Sequence, residues 1–470
     1  MKLFKKIFIV WMIVCLISIP AMAEEGEHDG YIVKYKGEED FVVCDEIPMS
    51  LFGLRSEIEY IEPNYYMYLL GDAPTDPYYA DGRQWNLSAI NAEEMWNEGY
   101  KGEGVKIAVI DSGVNDTLSE ISDCLLEGAN CVDGADASNC ADGNGHGTFI
   151  CGIIGAKWNN YATAGIAPDV KIKPIKCTSM IYDEKQGKYV EGAYTDDVAR
   201  GVKIAIEAGC KVINMSLGSW YPSETLENEI NKAYDKGAIM FAAVGNFNSE
   251  NVMYPAGYDN VIGVGAVFKD ADKVIKRAPY SNYNTSVFVV APGGCDFKDK
   301  DGNIVYGDYV YSIGGVGGTG TSFSAPTVAA VAALALCKMP GLNHDSFSAV
   351  LKNSCRDVGA AGYDIYYGYG IVDCEAMLRE LDKSELYFTD SENCEEGFME
   401  TYVVNFGNEE VNAKAFSYEK DGNSLKDFKV LGLSLKKGEG KRIKVPKTDE
   451  ESGVLAIWNN LLNPIESRTR

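Results

Sequence analysis

Short apolar runs and helical apolar spacing alternate through the middle of the chain. Val105 to Ile110 is a run of strand length rich in β-branched residues, which predicts a buried strand. Gly147 to Ala156 has the apolar spacing of a helix, and Val170 to Ile175 alternates like a strand. Asp196 to Ala208 predicts a helix, Val212 to Leu217 a strand, Leu226 to Lys236 a helix, and Ile239 to Val244 and Val261 to Val267 two further strands. Thr321 to Cys337 is long, apolar and alanine-rich, and predicts a buried helix. This repeated strand–helix–strand order over 73–382 predicts an α/β domain, a mostly parallel sheet covered by helices on both faces.

The two ends of the chain have other patterns. Residues 24–72 are acidic and hold two extended segments, Tyr31 to Lys36 and Ile58 to Pro63. Gly71 to Gly82, rich in Asp, Pro, Gly and Tyr, marks a boundary. In 383–470, Thr401 to Phe406, Asp427 to Leu435 and Arg442 to Val445 are separated by Gly-Asn, Asp-Gly and Lys-Gly turns, which predicts a small all-β, sandwich-like module. Residues 1–23 read as a secretory signal. Lys2, Lys5 and Lys6 precede an apolar run from Ile7 to Ile19, and Ala21-Met22-Ala23 supplies a cleavage pattern that leaves Glu24 first. The run is shorter than the roughly 20 residues that span a bilayer. No membrane span is expected once it is removed, and the expected location is outside the cell or at its surface.

Composition narrows the classes. Of 470 residues, 46% are hydrophobic and 24% charged, which excludes wholesale disorder. The formal net charge of −26 makes nucleic acid an unfavourable partner. The 13 cysteines include no CxxC pair, so a structural zinc site has no support. An exported chain permits disulfides; Cys124, Cys131 and Cys140, close together in one loop, are expected to bridge locally. Cys151 and Cys337 lie in apolar helical patterns and are expected to be buried and inert.

Candidate chemistry begins with histidine. The chain has only His28, His146 and His344. His146 lies in Asp142-Gly143-Asn144-Gly145-His146-Gly147-Thr148, at the start of an apolar helix, and is the one convincing candidate base. Asp111 closes the strand ending at Ile110, where open α/β sheets place functional groups. Ser322 follows a glycine-rich approach and sits at a helix N-terminus, where free N–H groups stabilise a developing oxyanion. Asn246 follows the strand ending at Val244 and offers an amide. Taken singly, each is as readily a cap, a turn residue or a loop histidine.

Together, in the order Asp, His, Asn, Ser, they resemble the subtilisin-like serine peptidases. The motifs are Val109-Ile110-Asp111-Ser112-Gly113-Val114, Gly145-His146-Gly147-Thr148 and Gly320-Thr321-Ser322-Phe323-Ser324-Ala325-Pro326. The resemblance implies the family's three-layer α/β fold and a secreted serine endopeptidase acting on polypeptides. Ser322 would be the nucleophile, His146 the general base and acid, and Asp111 the group that orients the imidazole. The Asn246 side chain and the Ser322 N–H would form the oxyanion hole. Ser216, Leu217 and Gly218 would pair with the substrate backbone, with Gly192 to Thr195 as the opposite edge.

The same resemblance implies that Ala242 and Ala243 line the primary pocket. Met253 would shorten it, favouring small or medium apolar side chains before the scissile bond. Residues 24–72 would be a short inhibitory propeptide that partners its own peptidase domain, with self-cleavage near Leu70. No cofactor is required for the chemistry. A structural calcium ion is expected from Asp76, Glu120 and the Asn159-Asn160 loop, whose oxygens suit it. A monomer is expected. The rival readings are a peptidase dedicated to one exported precursor and a peptide-binding protein without catalysis.

Overall fold

The computed structural model describes residues 28–38, 40–44, 57–65, 73–183, 187–298 and 304–382, with the strands that lie between 386 and 469. The expected signal, Leu70 and the side chain of His28 lie outside what is described. The chain divides into two compact units, Met1–Gly71 and Asp72–Arg470.

The described part of the first unit is a three-stranded antiparallel sheet. Its strands are β1 (His28–Tyr35), β2 (Phe41–Cys44) and β3 (Ile58–Tyr65), in the order β2-β1-β3. Strands β1 and β3 are the two extended segments read from sequence. Strand β2 left no pattern there: it is four residues long, and its Val42 and Val43 are both exposed.

In the second unit the order is β4 (Lys106–Asp111), β5 (Ala129–Asn130), α1 (His146–Gly155), β6 (Lys171–Lys176), β7 (Thr178–Asp183) and β8 (Lys188–Ala193). Then come α2 (Thr195–Glu207), β9 (Val212–Met215), α3 (Glu224–Asp235), β10 (Ile239–Ala243), β11 (Ile262–Lys269), β12 (Ile275–Arg277) and β13 (Val289–Pro292). Helices α4 (Thr321–Lys338), α5 (His344–Ser354) and α6 (Cys374–Asp382) follow. The main sheet runs β12-β11-β10-β9-β4-β6-β5, with β13 added beside β11. Every pair is parallel except β11 with β12.

Alternation along the buried strands divides the core. Ile107, Val109, Val212 and Phe241 pack with residues of α1, α4, α5 and α6. Ala108, Ile110, Ile213 and Met240 point the other way, toward α2 and α3. The result is three layers, the α/β architecture expected from the sequence. Helix α4 is, among the described residues, the one helix long and apolar enough to cross a membrane, but it is buried beneath the sheet as a core helix.

From Leu386 onward the described backbone is all strand. Leu386–Phe388, Glu392–Asn393, Phe398–Asn405 and Gly440–Pro446 form one four-stranded antiparallel sheet. Val411–Asp421, Ser424–Leu435, Val454–Asn459 and Pro464–Thr469 form another.

The local bridging expected among Cys124, Cys131 and Cys140 is not found. All three are buried and free, as are the other described cysteines apart from the half-buried Cys44, Cys337 and Cys355, which are free too. Each thiol instead donates to a nearby carbonyl: Cys124 to Ile121 at 3.0 Å, Cys131 to Lys176 at 3.0 Å and Cys140 to Pro174 at 3.6 Å. Burial pushes the Cys124 and Cys131 thiols up to about 12.

Candidate active site

Asp111 is the last residue of β4 and is 3% exposed. One carboxylate oxygen, Oδ1, accepts from the Ser112 N–H at 2.7 Å and meets His146 Nδ1 at 2.8 Å. The other, Oδ2, is buried without a hydrogen-bond partner. With Nδ1 committed to Asp111, His146 Nε2 is the ring nitrogen left to take a proton.

His146 is the first residue of α1, and two glycines let it sit there. Gly145 caps the helix in the left-handed region at φ +87°. Gly147 packs so tightly on the Asp111 turn that a Cβ would lie 2.2 Å from the Gly113 carbonyl. Burial alone would lower the imidazole's pKa. The Asp111 carboxylate, helped by Asp142 and Glu191, outweighs it, and the pKa stands above the ordinary histidine value.

Asp142 is the residue sequence reasoning passed over. Its Oδ1 accepts from Ser112 Oγ at 2.9 Å, Gly145 N at 2.9 Å and Asn144 N at 3.1 Å. Its Oδ2 accepts from Thr148 N at 2.9 Å and from the Thr148 hydroxyl. One carboxylate thus ties the His146 loop to the turn after Asp111. The signal was present: an Asp two residues before an Asn in a glycine-rich turn favours such side-chain-to-backbone bonds.

Ser322 is the second residue of α4, behind Gly320 in its glycine-only conformation at φ +157°. Its Oγ donates to the Ser216 carbonyl at 3.2 Å, and the Ser216 hydroxyl donates to the Ser322 carbonyl at 2.7 Å. Pro326 explains the second bond. It is the sixth residue of the helix, beyond the first turn, and lacks the N–H that would bond the carbonyl four residues back. That carbonyl belongs to Ser322 and is free for Ser216. No hydrogen bond joins Ser322 Oγ to His146; Oγ donates to the Ser216 carbonyl instead.

The Asn246 amide is held by its oxygen. Oδ1 accepts from Thr321 N at 2.9 Å and Thr321 Oγ1 at 2.7 Å. Its Nδ2 group is left facing the approach to Ser322, 3.5 Å from where a Cβ on Gly320 would be.

Ser216, Leu217 and Gly218 lie just past β9, which ends at Met215, two residues earlier than the pattern predicted. No backbone hydrogen bond within the described residues engages Leu217 or Gly218, so their peptide groups are open to an extended partner. Met253 is 6% exposed and fills the space beside them. A Cβ on Gly218 would lie 3.5 Å from Met253 Cε, and one on Gly245 2.5 Å from its Sδ. Ala242 and Ala243 are buried at the end of β10.

A cavity of about 590 Å³ is lined by His146 together with Phe149, Ile313, Val316 and Phe323 among others. Gly192 and Ala193 belong to β8, which among the described residues pairs with β7 alone, leaving its other edge open. The β7–β8 hairpin was not read from sequence. Met180, Tyr182 and Tyr189 on it are exposed, so apolar residues mark no core face there.

The remaining candidates lie elsewhere. Asp76 is fully buried; its Oδ1 accepts from Asn159 N at 3.1 Å and Tyr161 N at 3.2 Å, while Oδ2 has no partner. Glu120, 4% exposed, accepts from Gly314 N, and burial, with Asp76 adding to it, raises its pKa. Asn160 accepts from the Thr75 hydroxyl through its side-chain oxygen. Among the described residues no group of three or more His, Cys, Asp or Glu side chains could hold a metal ion. His344 opens α5 as a buried residue packed against Tyr234.

The subtilase family model matches residues 102–370, more than half of the chain. The chain is a subtilase. It is 34% identical over 295 residues to subtilisin BL of Lederbergia lenta, covering 63% of this chain and 98% of that one. It is 33% identical over 317 residues to a thermophilic serine proteinase of Bacillus sp. strain AK1, covering 67% and 71%. A solved protease structure from Pseudoalteromonas arctica superposes with a TM-score of 0.54 at 27% identity, covering 65% of this subtilase and 98% of its own chain. The subtilase is therefore a serine-type endopeptidase, and its substrates are polypeptides.

Proposed function

We propose that the subtilase is exported, removes its own N-terminal segment, and cleaves polypeptides through an acyl-enzyme on Ser322. The observation that carries this is the 2.8 Å contact between Asp111 and His146, on a fold that brings Ser322 to a helix N-terminus. In the first step Ser322 Oγ attacks the scissile carbonyl while His146 Nε2 takes its proton. The C–N bond then breaks, and the same proton passes to the departing amine. Water, deprotonated by His146, attacks the acyl carbon; the bond to Ser322 Oγ breaks, and the proton passes from His146 to Oγ, restoring the hydroxyl. The Asp111 carboxylate stabilises the imidazolium. Asn246 Nδ2 and the Ser322 N–H receive the charge that develops on the carbonyl oxygen.

The substrate lies extended between Leu217-Gly218 and the open edge of β8. Met253 leaves room for a small or medium apolar side chain before the scissile bond. Residues 24–72 act as the propeptide of this enzyme, with cleavage near Leu70. Asp76 and Glu120 hold a calcium ion; the unpartnered Asp76 oxygen fits a hard cation. The ion is structural and takes no part in the reaction.

Labelling by a fluorophosphonate tests the reading. The secreted protein should label and Ser322→Ala should not, and the labelled species should have the mass of a chain lacking the signal and propeptide. A folded, full-length protein that refuses the label would overturn it.

A further inference from the structure

Glu191 stands on the hairpin strand β8, on the same face as its cross-strand partner Met180. Its side chain is 16% exposed. Oε1 is occupied: the Thr178 hydroxyl donates to it, and Lys176 Nζ lies 3.8 Å away while donating to the Ser112 carbonyl at 2.7 Å. Oε2 has no hydrogen-bond partner among the described residues. It faces the loop that carries His146, 3.7 Å from where a Cβ on Gly143 would stand. A carboxylate oxygen beside the candidate base is therefore available to a ligand.

Met180 and the Tyr182–Tyr189 pair continue the same face outward, exposed and apolar, with the two rings 5.2 Å apart. An acid at the base of an apolar and aromatic strip matches the anatomy of lysine or arginine. Their long stems cover apolar surface, and their cationic heads seek carboxylates and ring faces. A short polar donor would use the acid and leave the strip unused.

We propose that Glu191 selects a basic side chain in the substrate residue that passes between the β7–β8 hairpin and His146, on the acyl side of the scissile bond. This rests on the peptidase reading above, because it requires an extended substrate along β8. Lys176 shares the charge of Glu191, so the discrimination is moderate. A basic residue should exceed its neutral isostere by about two- to fivefold, the range of a partly exposed ion pair.

The test uses the mature enzyme and fluorogenic peptides that differ only in carrying Lys, norleucine or Glu at one acyl-side position at a time. The ratio of kcat/KM for Lys over norleucine should reach about two to five at one position and collapse to about one there in Glu191→Gln. In Glu191→Lys the Glu peptide should become the best of the three. A merely structural Glu191 would lower all rates together and leave the ratio unchanged, which would overturn the proposal. A Lys preference spread evenly over all positions would also overturn it, since it would report only the net charge of the protein. Fluorophosphonate labelling runs on the same samples. Label and cleavage without the ratio count against Glu191 alone, whereas loss of label and of all cleavage in the unaltered enzyme counts against the acyl-enzyme reading and this proposal together.

Discussion

Asp142→Asn is the sharpest test of how the His146 loop is held. Asparagine keeps the volume but replaces one acceptor oxygen by an NH₂ group. If that group takes the Oδ2 position, it faces the Thr148 N–H, which donates at 2.9 Å. If it flips, it faces the donors from Ser112, Gly145 and Asn144 at 2.9 to 3.1 Å. Either way at least one donor in a half-buried site loses its acceptor. The cost of such a loss is about 1–3 kcal/mol, or a fall in Tm of roughly 2–5 °C for a domain of about 300 residues. Two pH effects follow. Burial would raise the Asp142 carboxyl pKa, but its hydrogen bonds, those from Thr148 foremost, hold it below the ordinary value. Its stabilising contribution is therefore complete above the usual carboxylate range and lost as pH falls through the folded value, so the gap between wild type and variant should close in acid. His146 is raised in part by the Asp142 charge, and the base must be neutral to act. Removing the charge lowers that pKa, and the acid limb of kcat/KM should move to lower pH. Thermal melts across pH and a pH–rate profile on a chromogenic peptide measure both. An acid limb that stays fixed or moves upward, with an unchanged Tm, would refute the reasoning.

Three further outcomes are expected. If Asn246 serves as proposed, Asn246→Ala should fold normally and lower kcat by about 10²–10³, the loss typical when one oxyanion-hole donor is removed, with KM little changed in steady-state assays. Met253→Ala should cost about 2–5 kcal/mol in urea unfolding and shift cleavage toward larger residues before the scissile bond, read from peptide digests by mass spectrometry. Chelation should lower Tm, and more so at higher pH. Glu120 is raised in the fold, so the uncompensated protein is favoured below the ordinary carboxylate pKa and loses that stability as pH rises through the folded value. Added calcium should remove this slope.

The parts legible in the sequence are those where burial and backbone chemistry agree. Strands β4, β9 and β10 are buried on both faces, so their apolar runs needed no tertiary information. The places of Asp111 at a strand end and of His146 and Ser322 at helix starts behind glycine turns were readable locally, whereas their selection as a set came from the resemblance of their motifs. The β7–β8 hairpin escaped because Met180, Tyr182 and Tyr189 are apolar yet exposed, which defeats a rule that puts apolar residues inside. Asp142 escaped because its role lies in partners up to 30 residues away, not in its neighbours alone. The cysteines misled because proximity in a loop says nothing about side-chain direction, and each thiol found a backbone carbonyl first.

Those thiols bear on the enzyme's lifetime. No covalent cross-link fastens the described fold, so packing alone keeps its sulfurs from oxidants. Opening the domain would expose many of them at once. In the oxidising surroundings that the proposed export implies, they would couple into mispaired bridges that keep the parallel sheet from reassembling. Heat inactivation should therefore run one way, and the half-life of the enzyme should follow the rate of its first opening rather than an equilibrium between open and closed forms.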